Sequence, residues 1–257
     1  MEASLSLDKH NEFLMSASYR LPFDTKQNQL LASLPDSEWR RWLQDLELIE
    51  LTRGQVLCES GAAPVYVIFP TTAVVSLLYV TQDGASSEVA VVGNDGAVGI
   101  SLFMGGNTAP YRSVVQNAGR AYRLRAQVLK KEVSQTGPVL SMLLRYTQAM
   151  IAQVGQTAMC NRYHSIDQQL CRRLLTSLDR SGSDELAMTQ ELLASLLGVR
   201  REGVTAAALK LQQAGVIRYS RGHIEVLDRS RLEQRTCECY AATKKENHRL
   251  LPIPLAA

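Results

Sequence analysis

Arg200, Arg201, Glu202, Thr205 and Ala206 are the residues of this chain whose types and spacing point most directly to chemistry. On a helix starting near Arg200 they face outward, with two guanidinium donors beside a carboxylate acceptor. Such a set can read base edges in the major groove of a DNA duplex. Thr189 and Gln190, at the start of the preceding helix, join the candidate contact set. Arg218 and Arg221, farther along, are placed to hold phosphates, contacts that fix register without reading sequence.

The elements that must position these groups are legible in residues 190–209, QELLASLLGVRREGVTAAAL. Ala194, Gly198 and Val204 fall at the fifth, ninth and fifteenth places of a helix-turn-helix template. Ala194 is small where the second helix crosses the first. Gly198 supplies the backbone angles of the turn, and Val204 locks the second helix onto the first. Thr189 can cap the first helix, whose apolar face is Leu192, Leu193, Leu196 and Leu197. The second helix is expected to run from Arg200 to about Gln213, with Gly215 closing it. Two helices around a glycine also occur in proteins that never touch DNA. Here, however, Val216–Leu227 (VIRYSRGHIEVL) reads as two strands turning at Ser220-Arg221-Gly222, the hairpin of a winged helix.

With 257 residues the chain can form two ordinary domains. A net charge of only +3 places any nucleic-acid affinity in local arginines rather than in a global field. No apolar run approaches the roughly 20 residues needed to span a bilayer, and the N-terminus lacks a signal-peptide pattern. The expectation is a soluble, cytoplasmic protein with no membrane partner. The five cysteines, 58, 160, 171, 237 and 239, are then reduced thiols rather than a disulfide framework.

The pattern divides the chain into five parts. Residues 1–27 read as a poorly ordered extension. Residues 28–137 begin with a helical stretch, Asn28 to Leu48, with Asp36 near a helix start after Pro35. They continue as short apolar runs between Gly, Asn and Asp, from GQVLCESG to AYRLRA, the signature of an antiparallel β-barrel or roll. Residues 138–160 form a long helix opened by Gly137-Pro138. Its stripe of Leu140, Leu143, Leu144, Thr147, Met150, Ile151, Val154 and Ala158 could pack on the roll, but suits a two-helix homodimer seam through 139–160 better. Residues 161–230 contain a hinge at Asn161–His164, a helix from Ser165 to Leu178, the loop Ser181-Gly182-Ser183 and the winged helix-turn-helix. Residues 231–257 are a charged helical tail ending in Pro252-Ile253-Pro254. The fold class is α+β.

This order of parts resembles the cyclic-AMP receptor protein / fumarate-nitrate regulator (Crp/Fnr) superfamily of bacterial transcription factors, over about residues 28–228. The most specific match is TQELLASLLGVRREGV (Thr189–Val204), where Arg201-Glu202 stands at the family's recognition-helix Arg-Glu pair. The resemblance implies a homodimer on double-stranded DNA, its two recognition helices in successive major grooves of a near-palindromic site about 34 Å apart. It also implies contact with RNA polymerase if the protein activates. Ala206 replaces a further family arginine, so the operator should differ from that of the cyclic-AMP receptor. In the roll, Gly99-Ile100-Ser101 and Arg112-Ser113 align with the phosphate-binding cassette of cyclic-nucleotide-binding members. Ile100 stands where a ribose-binding glutamate belongs, and an unpaired buried hydroxyl costs on the order of 1–3 kcal/mol. Cyclic AMP is therefore disfavoured. Gly99, Ile100, Ser101, Arg112 and Ser113 remain candidates for another small anionic or nucleotide effector, with Arg112 as a plain surface residue the alternative.

Other chemistries find less support. Iron–sulfur-sensing relatives carry N-terminal cysteines, and none precedes Cys58 here. The four histidines, 10, 164, 223 and 248, lie outside the roll, against a haem sensor or a metal-dependent barrel enzyme. Cys237-Glu238-Cys239 could be a redox pair or half of a metal site, with His248 the only nearby partner. Two thiolates do not complete a tetrahedral zinc site, and no metal or catalytic residues are assigned. The alternative function is a small-molecule-binding barrel whose C-terminal helices mediate protein contacts. No Ser-His-Asp arrangement or phosphate loop suggests an enzyme.

Overall fold

The computed structural model describes residues 24–181 and 185–251. The expectations for the N-terminal extension, for Gly182-Ser183 and for Pro252-Ile253-Pro254 lie outside the described residues, apart from the helical turn at Thr25–Gln27. The expected helix from Asn28 to Leu48 is instead two short helices, α1 (Gln29–Ala32) and α2 (Asp36–Leu43), followed by strand β1 (Glu47–Leu51). Pro35 disfavours helical backbone at Leu34 and then opens α2. Residues 47–51 become a strand by pairing with residues 119–123, a partner that local periodicity cannot reveal. Asn28 is fully buried and anchors α1. Its Oδ1 accepts from the Leu30 and Leu31 N–H groups, and its Nδ2 donates to the Pro70 and Gly96 carbonyls at 2.8 Å each.

The roll consists of β1 with β2 (Val56–Cys58), β3 (Tyr66–Pro70), β4 (Val74–Val80), β5 (Ser86–Val92), β6 (Arg112–Asn117) and β7 (Gly119–Arg125). They form two antiparallel sheets, in orders β1-β7-β3 and β2-β6-β4-β5. Phe69, Leu77, Tyr122 and Leu124 fill the core, closed by Trp42 of α2 and Leu129 of α3 (Ala126–Val133), a helix the sequence pattern did not separate.

The long helix α4 runs Pro138–Tyr163, with proline in its first turn, where a missing N–H is harmless. Its apolar stripe divides between two faces. Val139, Met142, Leu143, Tyr146, Thr147 and Met150 are buried, and most of them join the roll core. Leu144, Ile151, Ala158 and Met159 are exposed. The packing is pinned by the Tyr146 hydroxyl, which donates to the Ala97 carbonyl at 2.8 Å and accepts from its N–H at 2.9 Å. The helix continues through residues 161–163, so the break expected over Asn161–His164 narrows to His164-Ser165.

The C-terminal part has its own core, built from α5 (Ile166–Ser181), α6 (Gln190–Leu197), α7 (Arg201–Gln213) and a small sheet. Strand β9 (Ile217–Ser220) turns through Arg221-Gly222 into β10 (His223–Val226), which also pairs with the short β8 (Glu185–Ala187). Two helices follow, α8 (Arg229–Arg235) and α9 (Glu238–Leu250). Helix α9 runs back along α4, from Cys239 beside Gln156 to Leu251 near Met150. No described helix is long and apolar enough to cross a membrane.

Candidate nucleic-acid interface

The helix-turn-helix forms for local reasons. The Thr189 hydroxyl accepts from the Leu192 N–H at 3.1 Å, and Glu191 puts a negative charge in the first turn of α6. Gly198 ends α6 with φ +66°, and its N–H returns to the carbonyls of Ala194 and Ser195. A side chain is strained at that angle, and a Cβ would also stand 3.2 Å from Ser87 Oγ on the roll. Ala194, Val204, Ala207, Ala208 and Leu211 are buried between α6 and α7 and their supporting helices. With that face turned inward, the opposite face of α7 must point to solvent.

Arg200, Arg201, Glu202 and Ala206 are exposed on the first turns of α7. Arg201 keeps 63% of its side-chain surface in solvent, and its nearest ion-pair partner, Glu191, is 3.9 Å away and more exposed still. Such a pair holds its members weakly, so the guanidinium is available to a ligand. Thr205 and Gln190 are committed to each other. The Thr205 hydroxyl lies 2.7 Å from Gln190 Oε1 and 3.0 Å from the Arg201 carbonyl, which braces α7 against α6. On the wing, Arg218 pairs with Glu225 at 2.6 Å. Arg221 and Gly222 have φ of +48° and +82°, the positive angles of a tight two-residue hairpin turn that lifts Arg221 into solvent.

A buried polar interface fastens this unit to the roll. Arg173 of α5 meets Glu88 of β5 through Nε–Oε1 at 2.8 Å and Nη2–Oε2 at 2.9 Å, both side chains only 6% exposed. Arg173 also reaches Gln116 and Ser177, and Arg180 Nη2 pairs with Asp95 Oδ2 at 2.8 Å. Burial pushes the Glu88 carboxyl up and the Arg173 guanidinium down, each toward its neutral form, while their mutual attraction opposes both shifts. Ser195 of α6 bonds Ser86 of β5 at 2.7 Å.

The candidate effector residues divide. A cavity of about 560 Å³ in the roll is lined by Gly99, Ser101 and Ser113, together with Cys58, Glu59, Tyr66 and Tyr111. Gly99 has φ +107° and a Cβ there would come within 3.2 Å of the Tyr66 carbonyl, so only glycine fits the cavity wall. Ile100 packs on the core and Arg112 is not in the lining. Arg112 Nε instead sits 3.1 Å from Glu59 Oε2. An anion at Arg112 would share the guanidinium with that carboxylate, whose charge repels it. Burial pushes the Tyr111 hydroxyl up to about 12, so it is a neutral donor in the cavity.

Residue types and spacing alone mark no metal ligands and leave Cys237 and Cys239 only His248 as a nearby partner. The fold brings Cys160, His164, Cys237 and Cys239 together within 4.8 Å, whereas His248 is exposed on α9. The spacing Cys-x3-His on α4 was a readable signal. Its meeting with a Cys-x-Cys more than seventy residues on was not.

Residues 168–235 match the family model of the Crp-like helix-turn-helix domain. Among curated proteins no sequence matches the chain. Among solved structures the chain is similar to a Crp/Fnr-family regulator from Eubacterium rectale, at 18% identity and TM-score 0.64, covering 81% of this chain and 98% of that one. It is similar to FixK2 from Bradyrhizobium japonicum at 16% identity and TM-score 0.62, covering 75% and 98%. It also resembles TTHB099, a CRP-family transcriptional regulator from Thermus thermophilus, at 16% identity and TM-score 0.62, covering 73% and 95%. The chain thus carries a Crp-like helix-turn-helix domain at 168–235, within the overall fold shared by Crp/Fnr-family transcriptional regulators.

Proposed function

We propose that this protein is a sequence-specific DNA-binding transcription regulator that grips a near-palindromic promoter site as a homodimer. The observation that carries this reading is the first turn of α7, where Arg200, Arg201 and Glu202 are exposed to solvent on a helix whose other face is locked by Val204. Its N-terminal end is the part that a recognition helix inserts into the major groove. Arg221 at the wing tip would hold a flanking phosphate, and Thr189 and Gln190 would set the angle of approach.

Dimerisation is assigned to the exposed face of α4. Leu144, Ile151 and Ala158 are seven residues apart, with Gln148, Gly155 and Arg162 between and beyond them at steps of four and three. That is a seam of coiled-coil period. Ile151 is 64% exposed and Leu144 55% exposed in the single chain, apolar surface that a second α4 would cover. A dimer sets two α7 helices on one duplex, and the site follows its symmetry.

The roll cavity is the proposed effector site. Its largely apolar lining, the Glu59–Arg112 pair and the position of Ile100 count against cyclic AMP and favour a compact, weakly charged ligand. Because α5 and α6 are tied to β5, a ligand that binds two arrangements of that interface with different affinity would shift DNA binding. If the protein activates, RNA polymerase is a further partner, and the cytoplasm its place of action. The test is a fluorescence-anisotropy titration of promoter fragments from around its own gene. Affinity should fall steeply with salt as phosphate contacts release counterions, and Arg201→Ala should abolish discrimination between fragments. Equal, salt-insensitive affinity for every fragment would refute the reading.

A further inference from the structure

At the junction between the long helix and the helix-turn-helix unit, three cysteines and one histidine converge. Cys160 lies on the last turn of α4 and His164 caps that helix, four residues on, so both point to one side. Cys237 caps α9 and Cys239 lies in its first turn. Cys160, Cys237 and Cys239 are at most 3% exposed and form a core of their own, separate from the two larger ones. Cys160 Sγ is 3.6 Å from Cys237 Sγ, and Cys239 Sγ is 3.4 Å from His164 Nδ1. All four candidate ligand atoms lie within 4.8 Å of one another.

We propose that these residues form a Cys3His site for one zinc ion. A tetrahedral ion with Zn–S near 2.3 Å and Zn–N near 2.0 Å sets its sulfurs about 3.8 Å apart and sulfur from nitrogen about 3.5 Å apart. The Cys160–Cys237 and Cys239–His164 spacings already lie close to those values, and the widest separation must close by about 1 Å. The surroundings are those of a metal site. His164 turns Nδ1 inward while its Nε2 lies 3.2 Å from Glu238 Oε1, the carboxylate partner that orients a ligating imidazole. Gln156 Nε2 donates to Cys239 Sγ at 3.0 Å, a bond that steadies a thiolate. Soft sulfur ligands with one imidazole select zinc over magnesium or calcium. Four protein ligands leave no open position, so the ion is structural rather than catalytic. On binding, each thiol loses its proton to solvent, and the three thiolates with Zn²⁺ leave a net charge of −1. Arg172, hydrogen-bonded to Thr157 on the neighbouring turn of α4, supplies positive charge close to Cys160.

Such an ion bolts α9 to the end of α4 at the single break, His164-Ser165, between α4 and α5. It closes the chain from 160 to 239 around the whole helix-turn-helix unit. The site would fix how that unit leaves the long helix, whatever ligand the unit carries.

The test is metal content of the purified full-length chain under reducing conditions, followed by Co²⁺ substitution. One zinc per chain is expected, with cobalt giving thiolate charge-transfer bands and the strong visible bands of a tetrahedral site. Cys239→Ser should remove the ion. Glu238→Gln, which leaves every ligand in place, should retain it with 10- to 100-fold lower affinity. Chelation should render the segment from 229 onward sensitive to protease. A folded, reduced protein that retains no zinc and gives only octahedral cobalt spectra would overturn the proposal. So would a Cys160–Cys237 disulfide in freshly purified protein, or an iron–sulfur chromophore bound by the same cysteines. None of these readouts depends on DNA binding.

Discussion

Replacing Glu88 or Arg173 singly with leucine should damage the protein far more than replacing both. The two side chains are each 6% exposed, and their double contact at 2.8 and 2.9 Å joins the roll to the helix-turn-helix unit. Unit charges about 4 Å apart attract by roughly 4 kcal/mol at an effective dielectric near 20. Withdrawing each ion from water costs several kcal/mol, so the intact pair nearly breaks even. Glu88→Leu leaves Arg173 buried with only the neutral oxygens of Gln116 and Ser177 as acceptors, so the attraction is lost and the desolvation remains. Each single variant should therefore lose about 3–5 kcal/mol, whereas the double variant should lie within about 1 kcal/mol of the parent or above it. The loss falls on the contact between units, so urea denaturation followed by circular dichroism should resolve two transitions in the single variants and one in the parent. Losses below about 1 kcal/mol in both single variants would mean that the pair is not buried between the two units.

Other consequences are equally specific. Gly198→Ala forces a left-handed backbone angle on a side chain and should cost about 1–2 kcal/mol, read as a lower melting temperature. A neutral result would show that the turn can rearrange. Leu144→Glu with Ile151→Glu places charge along the exposed seam of α4 and should convert a dimer to a monomer in sedimentation, with DNA affinity lost in parallel. A dimer unaffected by both changes would place the interface elsewhere. Glu59→Gln frees Arg112, so inorganic phosphate or nucleoside monophosphates should raise the melting temperature of the variant more than that of the parent. Identical shifts would exclude Arg112 as an anion contact.

The helix-turn-helix was readable because its determinants are local. A cap, a glycine with positive φ and a valine six residues later act within a span of sixteen residues, and the structure places α7 and the wing hairpin within a residue or two of their expected bounds. The roll strands were visible through their glycine and asparagine punctuation. Legibility failed where a partner lay far along the chain. Glu47–Leu51 carries no alternating burial and becomes a strand only by pairing with residues 119–123. Glu185–Ala187 is too short to announce itself and exists because β10 has a free edge. The stripe on α4 could not be divided from sequence, since two adjoining apolar faces overlap in a helical pattern. The capture of Arg112 by Glu59, and the meeting of Cys160 and His164 with Cys237 and Cys239, are tertiary events that sequence spacing does not foretell.

Selection from a random duplex library probes the exposed arginines at the start of α7 without assuming any operator. The parent protein should enrich a two-fold symmetric sequence whose half-sites lie one helical turn apart, about 34 Å. Arg201→Ala, equally folded, should enrich nothing in common with it, whereas Arg221→Asn, which tolerates the same backbone angle, should enrich the same sequence more weakly. Enrichment of one motif by the parent and the Arg201→Ala variant alike, or of none by the parent, would show that α7 does not read the duplex.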